Sequence, residues 1–102
     1  MSSYNVYVTP AAWKEIKDLP GQVRQRMRKA IDGLADNPRP AKSKALDSPD
    51  IAAEVRRLRL DRWRMVYAIT ETDEAVDVLA VRKRPPYDYG DLESLLKDYP
   101  TK

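Results

Sequence analysis

The sequence predicts an α+β fold in which a helical hairpin packs on one face of an antiparallel sheet. The order is β-α-α-β-β-β, with a short C-terminal helix after the last strand. Three observations carry this. Residues 4–8 alternate and are rich in β-formers. Residues 10–34 hold two blocks with apolar residues at helical spacing, separated by Pro20-Gly21. Residues 54–83 hold three blocks that alternate with period two, joined by short turns. A chain of 102 residues forms one compact domain. Residues 1–102 show no repeat, low-complexity segment or internal boundary, so they read as a single domain.

The first strand, Tyr-Asn-Val-Tyr-Val, runs into Thr9-Pro10, where Thr suits the helix N-cap and Pro the first helical position. Ala12, Trp13, Ile16 and Leu19 then share a helical face, and both Trp13 and Trp63 read as core residues. In the second helix Val23, Met27, Ala30, Ile31 and Leu34 form the apolar stripe. Arg24, Arg26, Arg28 and Lys29 lie off it, as a solvated face does. Asp-Asn-Pro-Arg-Pro at 36–40 ends that helix. Residues 41–53 read as a polar connection anchored by Leu46. The meander follows as 54–60, a tight turn at Asp61-Arg62, 63–70, a turn at 71–74, and 75–83. Leu92, Leu95, Leu96 and Tyr99 are spaced to dock a terminal amphipathic helix.

Composition narrows the chemistry. Hydrophobic residues make up 42% and charged residues 34%, the balance of a globular domain with a strongly solvated surface. The formal charge is only +3, although the pI is near 9.2, so the placement of the cations matters more than their excess. There is no cysteine and no histidine, which removes disulfides, thiol chemistry, the commonest general base and the commonest metal ligand. Catalysis would have to run on Lys, Arg, Tyr, Asp or Glu. Asp88 and Asp91 alone make no metal site, and no cofactor is expected. No apolar run approaches a membrane span, and the N-terminus has no secretory pattern, so a cytoplasmic protein without a membrane partner is expected.

Alternation also gathers cations. Leu58 and Leu60 share one face of their strand, and Arg57 and Arg59 share the other. Trp63, Met65, Tyr67 and Ile69 form the bulky face of the next strand, opposite Arg64, Val66 and Ala68. In the last strand Leu79 and Val81 are expected in the core, with Val78, Ala80, Arg82 and Arg84 opposite. If the helices cover the bulky side, Arg57, Arg59, Arg64, Arg82 and Arg84 all lie on the open side of three adjacent strands. Any single arginine there is as readily a solvated strand position. Five on one face suit phosphate, which guanidinium binds in a planar, bidentate way. Tyr87 and Tyr89 follow in sequence and offer stacking faces.

The chain resembles the RelE/ParE superfamily of toxins along nearly its whole length, and three stretches carry the match. They are Tyr-Val-Thr-Pro-Ala-Ala-Trp-Lys-Glu-Ile from Tyr7, Ala-Ile-Asp-Gly-Leu-Ala-Asp-Asn-Pro-Arg-Pro from Ala30, and the meander from Arg57 to Tyr67 followed by Arg82-Lys83-Arg84. The resemblance implies the toxin of a type II toxin–antitoxin system, a RelE-like mRNA endoribonuclease acting in the ribosomal A site. It implies a cognate antitoxin encoded by an adjacent gene. In that chemistry the 2′-hydroxyl attacks the neighbouring phosphate. The implied site residues are Arg57, Arg59, Arg64, Arg84 and either Tyr87 or Tyr89, with Arg56, Arg62, Arg82 and Lys83 as further RNA contacts. Some members carry lysines where this chain has Arg57 and Arg59. Arginine stays protonated, so these two suit phosphate binding and the general base is unassigned. Lys83 has the right type, but alternation places it on the other face. Two alternatives share the fold: a ParE-like inhibitor of DNA gyrase, and an inactive member that binds nucleic acid or a partner.

Overall fold

A computed structural model describes residues 3–46 and 53–83 of the chain. β1 (Asn5–Val8) passes directly into α1 (Pro10–Lys17), and Thr9 serves both. Its backbone N–H donates to the Val78 carbonyl at 3.1 Å, extending the sheet by one rung. Its hydroxyl accepts the Ala12 N–H at 3.2 Å, capping the helix. Pro10 occupies the first helical position, where no N–H is needed. α2 (Gly21–Gly33) follows after Asp18, Leu19 and Pro20. No helix among the described residues is long and apolar enough to cross a membrane.

β2 (Ser43–Ala45), β3 (Glu54–Leu60), β4 (Trp63–Thr70) and β5 (Ala75–Lys83) complete a five-stranded sheet in the order β1-β5-β4-β3-β2. The α+β class and the β3-β4-β5 meander follow the sequence prediction, and two features of the sheet topology do not. β1 runs parallel to β5, from Asn5 opposite Ala75 to Val8 opposite Val78, so the sheet is mixed. No tight hairpin joins those two strands, and only a hairpin would have imposed antiparallel pairing. β2 lies inside the predicted polar connection. Ser-Lys-Ala has weak strand preference, but the edge of β3 offers backbone partners, with Ser43 opposite Leu58 and Ala45 opposite Arg56.

The main core lies between the helices and the sheet. Ala12, Ile16 and Leu19 of the first helical segment and Met27, Ile31 and Leu34 of the second meet Leu58, Met65, Tyr67, Ile69, Val76, Val78 and Val81. Trp63 packs at its margin as expected, but Trp13 is 44% exposed and Lys17 Nζ sits 5.8 Å from its ring centre. Ala12 and Ile16 already fill the inward stripe of this short helix, and Trp13, one residue round from Ala12, falls outside it.

A β-bulge corrects the expected facing of β5. Val66 lies opposite Ala80 and Tyr67 opposite Val78, so Leu79 is the extra residue. Val76 and Val78 therefore join the helix-side core with Val81, while Leu79 and Ala80 both turn to the other side. There they meet Ala53, Val55, Val66 and Ala68 in a second buried cluster, with Leu46 packed against it. The face expected to be open thus carries a small apolar core of its own at one end.

Polar bonds tie the 36–45 segment to the sheet. The buried Tyr67 hydroxyl donates to the Pro38 carbonyl at 2.7 Å, and burial pushes its phenol above the ordinary value, so it stays a protonated donor. Nearby, Arg39 bridges Glu54 at 2.9 Å and Glu71 at 2.6 Å, and the Tyr4 hydroxyl donates to Glu71 at 2.9 Å. Hydrogen bonding to Arg39 is the main cause that lowers both carboxyls below the usual carboxylate range.

Tyr67→Phe keeps the ring but leaves the Pro38 carbonyl without its donor. Equilibrium urea unfolding should show a loss of about 1–2 kcal/mol, and an unchanged midpoint would mean the bond adds nothing. The lowered carboxyls predict an acid dependence. As pH falls from the ordinary carboxylate range towards the folded-state values, the unfolded chain takes up protons before the native one does. Stability present at neutral pH is therefore lost across that window. These groups are partly solvated, so the effect is modest. Arg39→Gln should flatten the acid limb of the stability–pH curve, and an identical limb in the variant would contradict the assignment.

Candidate nucleic-acid interface

Three antiparallel strands place the arginines in a row. Arg59 of β3 lies directly opposite Arg64 of β4, which lies directly opposite Arg82 of β5. Such partners have Cβ atoms about 4.5–5.5 Å apart. Arg57 is on the same face one step along β3, opposite Val66. The row occupies the end of the face beyond the second apolar cluster.

The members of the row differ in setting. Arg59 is exposed and Arg57 half-buried. Arg64 is only 3% exposed and is the one buried charged residue among those described. Its sequence position implied a solvated side chain, whereas the structure buries it. Arg82 is held by Glu15 of α1, whose two carboxylate oxygens accept Val81 N–H at 3.0 Å and Arg82 Nε–H at 3.2 Å. β1 pairs with β5 only from Ala75 to Val78. Beyond Val78 the helix lies along that edge, and Glu15 supplies the acceptor that a strand would have supplied.

Other candidates fall elsewhere. Arg56 faces the helix side, with Nη1 2.7 Å from Glu54 and Nε 3.1 Å from the Ser43 hydroxyl, so it is tied into the network that secures β2. Arg62 is exposed in the β3–β4 turn, where Asp61 takes a left-handed φ of 56° and pairs with Arg26. Lys83 lies opposite Trp63 on the helix side, the face alternation gave it. Arg84, Tyr87, Tyr89 and the expected terminal helix lie outside the described residues. Beside the row, at the β2 edge, Lys42, Lys44, Arg57, Arg59 and Asp61 line an open groove of ≈ 610 Å³. Among the described residues no group of three or more His, Cys, Asp or Glu is placed to hold a metal ion.

The family profile described as the ParE toxin of type II toxin–antitoxin systems, parDE, matches residues 6–85. The chain belongs to the RelE/ParE superfamily of type II toxin–antitoxin toxins. Solved toxins share the fold of this one. The archaeal RelE of the RelE–RelB complex from Pyrococcus horikoshii OT3 superposes with a TM-score of 0.73 at 23% identity, over 82% of this chain and 98% of that one. The RelBE2 toxin–antitoxin complex from Mycobacterium tuberculosis gives 0.67 at 24% identity, over 82% and 94%. The intact E. coli RelBE toxin–antitoxin complex gives 0.64 at 27% identity, over 80% and 98%. Comparison of the sequence with curated proteins finds no significant match.

Sequence reasoning about this toxin missed Glu15, Lys42 and Lys44. Glu15 is an ordinary helix-surface residue by pattern, and only the helix–strand packing brings it to Arg82. The lysines carried a signal, two cations in a short polar stretch, but no register to place them. The burial contrast within the row is testable by thermal or urea unfolding. Arg59→Ala should change stability by no more than about 0.5 kcal/mol, whereas Arg64→Ala should cost on the order of 1–3 kcal/mol. Equal effects would mean that Arg64 is not enclosed.

Proposed function

We propose that this toxin is a ribosome-dependent mRNA endoribonuclease of the RelE type, neutralised by a cognate antitoxin. The cross-strand row Arg59–Arg64–Arg82, with Arg57 beside it, carries this reading. Fixed cations on a rigid sheet suit a reaction whose transition state gathers negative charge on phosphorus oxygens. In that reaction the 2′-oxygen of one nucleotide bonds to the adjacent phosphorus and gives its proton to an acceptor. The bond from phosphorus to the 5′-oxygen breaks, and that oxygen takes up a proton. The products are a 2′,3′-cyclic phosphate and a 5′-hydroxyl.

The proposed roles follow from setting. Arg57 and Arg59 take the phosphate and its neighbours, because they are accessible and permanently charged. Arg64, enclosed in the sheet, supplies a fixed charge at the middle of the row. Arg84 and Tyr87 or Tyr89 complete the site, as the superfamily resemblance implies. No residue is assigned as general base, and positioning within the ribosome supplies part of the rate. That solved RelE toxins were crystallised with RelB antitoxins supports a protein partner of the same kind here.

One observation favours a second reading: the matching family profile is that of ParE. A ParE-like protein would inhibit DNA gyrase without cutting RNA. Primer extension on translated mRNA, run beside a gyrase supercoiling assay, separates the two. New primer-extension stops with unimpaired supercoiling are expected, together with growth arrest on induction that the adjacent antitoxin gene relieves. In Arg57→Ala and Arg59→Ala cleavage should fall by roughly a hundredfold, the scale of losing one transition-state donor, with unfolding midpoints unchanged. Blocked supercoiling without cleavage would establish the ParE reading, and normal growth despite soluble toxin would remove both.

A further inference from the structure

Two groups of basic residues among those described stand in contrast. Arg26, Arg39, Arg56 and Arg82 each contact a carboxylate, from Asp61, Glu54 and Glu71, Glu54, and Glu15 respectively. Lys42, Lys44, Arg57 and Arg59 line one groove, and among the described residues none of the four makes an ion pair or side-chain hydrogen bond. Lys44 and Arg57 are direct cross-strand partners. Like charges directly opposite one another on a sheet are destabilising, and Asp61, the one carboxylate among the described residues lining the groove, pairs with Arg26. A concave cationic surface of this kind, uncompensated among the described residues, suits an anionic ligand.

We infer that the groove at the β2 edge is a second phosphate-binding tract, in which Lys42 and Lys44 hold the backbone of the RNA strand next to the cleavage site. This rests on the reading of the arginine row as an RNA interface. The tract is continuous with that row through Arg57 and Arg59. From β5 to β2 is three strand spacings, about 14 Å, room for more than one phosphate of a single strand. Lysine ammoniums at the rim bind phosphate as mobile point charges. Such phosphate contacts add affinity and register on the strand and carry no sequence information themselves.

The test uses the full chain and a fluorescent single-stranded 2′-O-methyl RNA, whose blocked 2′-oxygen prevents cleavage. Binding is followed by anisotropy across a salt series, with Lys42→Gln/Lys44→Gln beside Arg57→Gln/Arg59→Gln and the wild type. Each phosphate contact on a single strand contributes about 0.7 to the slope of log affinity against log salt. The lysine double variant should lose about 1.4 of that slope, keep the wild-type melting temperature, and cleave translated mRNA with a raised KM and an unchanged kcat. An unchanged slope in the lysine variant, with a reduced slope in the arginine variant, overturns the tract and leaves the endoribonuclease reading standing. A wild type that binds no RNA overturns the tract, and absence of primer-extension stops on translated mRNA overturns the endoribonuclease reading. Lysine-dependent binding of a polyglutamate peptide with lysine-independent binding of RNA overturns the tract in favour of an acidic protein ligand. A drop in melting temperature that accounts for the weaker binding makes the lysines structural and also overturns it.

Discussion

The double enclosure of β4 organises the rest of the molecule. It is hydrogen-bonded to β3 on one edge and β5 on the other, and every residue from Arg64 to Ile69 is buried. Successive side chains of a strand leave on opposite faces, so β4 must feed two cores at once. Met65, Tyr67 and Ile69 go to the helices, and Val66 and Ala68 to the smaller cluster. Arg64 leaves on the side of the smaller cluster, at the end of the strand where the cations collect. A guanidinium enclosed in this way has few rotamers open to it, which is what a preorganised charge requires. The bulge at Leu79 is compatible with this plan because it changes the parity of β5 and leaves β4 regular.

Electrostatics on this surface is a matter of where the carboxylates go. A net charge of +3 is too small to create an anion-binding surface by excess alone. Glu54 and Glu71 are drawn to Arg39, with Glu54 also meeting Arg56. These contacts fasten the 36–45 segment and the far rim of the sheet. Glu15 serves a sheet edge and Arg82 together. Among the described residues, their engagement leaves Lys42, Lys44, Arg57 and Arg59 of the β2–β3 groove without an ion-pair partner. The same ion pairs that secure the fold thereby concentrate positive potential at one place, and the surface pairs need contribute little stability themselves to have that effect.

The helices, the meander and the facing of Arg57, Arg59 and Arg64 were legible in the sequence because each depends on local periodicity, caps and turns: Thr9-Pro10, Pro20-Gly21, and the two-residue turn at Asp61-Arg62. The superfamily was legible in the same stretches. The tertiary structure decided what periodicity does not encode. The parallel pairing of β1 with β5 joins residues about seventy apart in sequence. The conversion of 43–45 into a strand depends on the free edge of β3. The bulge that moves Val78 into the core is a local change of register that alternation cannot foresee. Arg56 and Arg57 are adjacent and chemically identical, yet one is tied to Glu54 and Ser43 and the other lines the groove. Sequence determined which face each arginine takes, because side-chain direction follows from the backbone repeat. Tertiary structure decided which of them are neutralised, because ion pairing depends on carboxylates brought from distant parts of the chain.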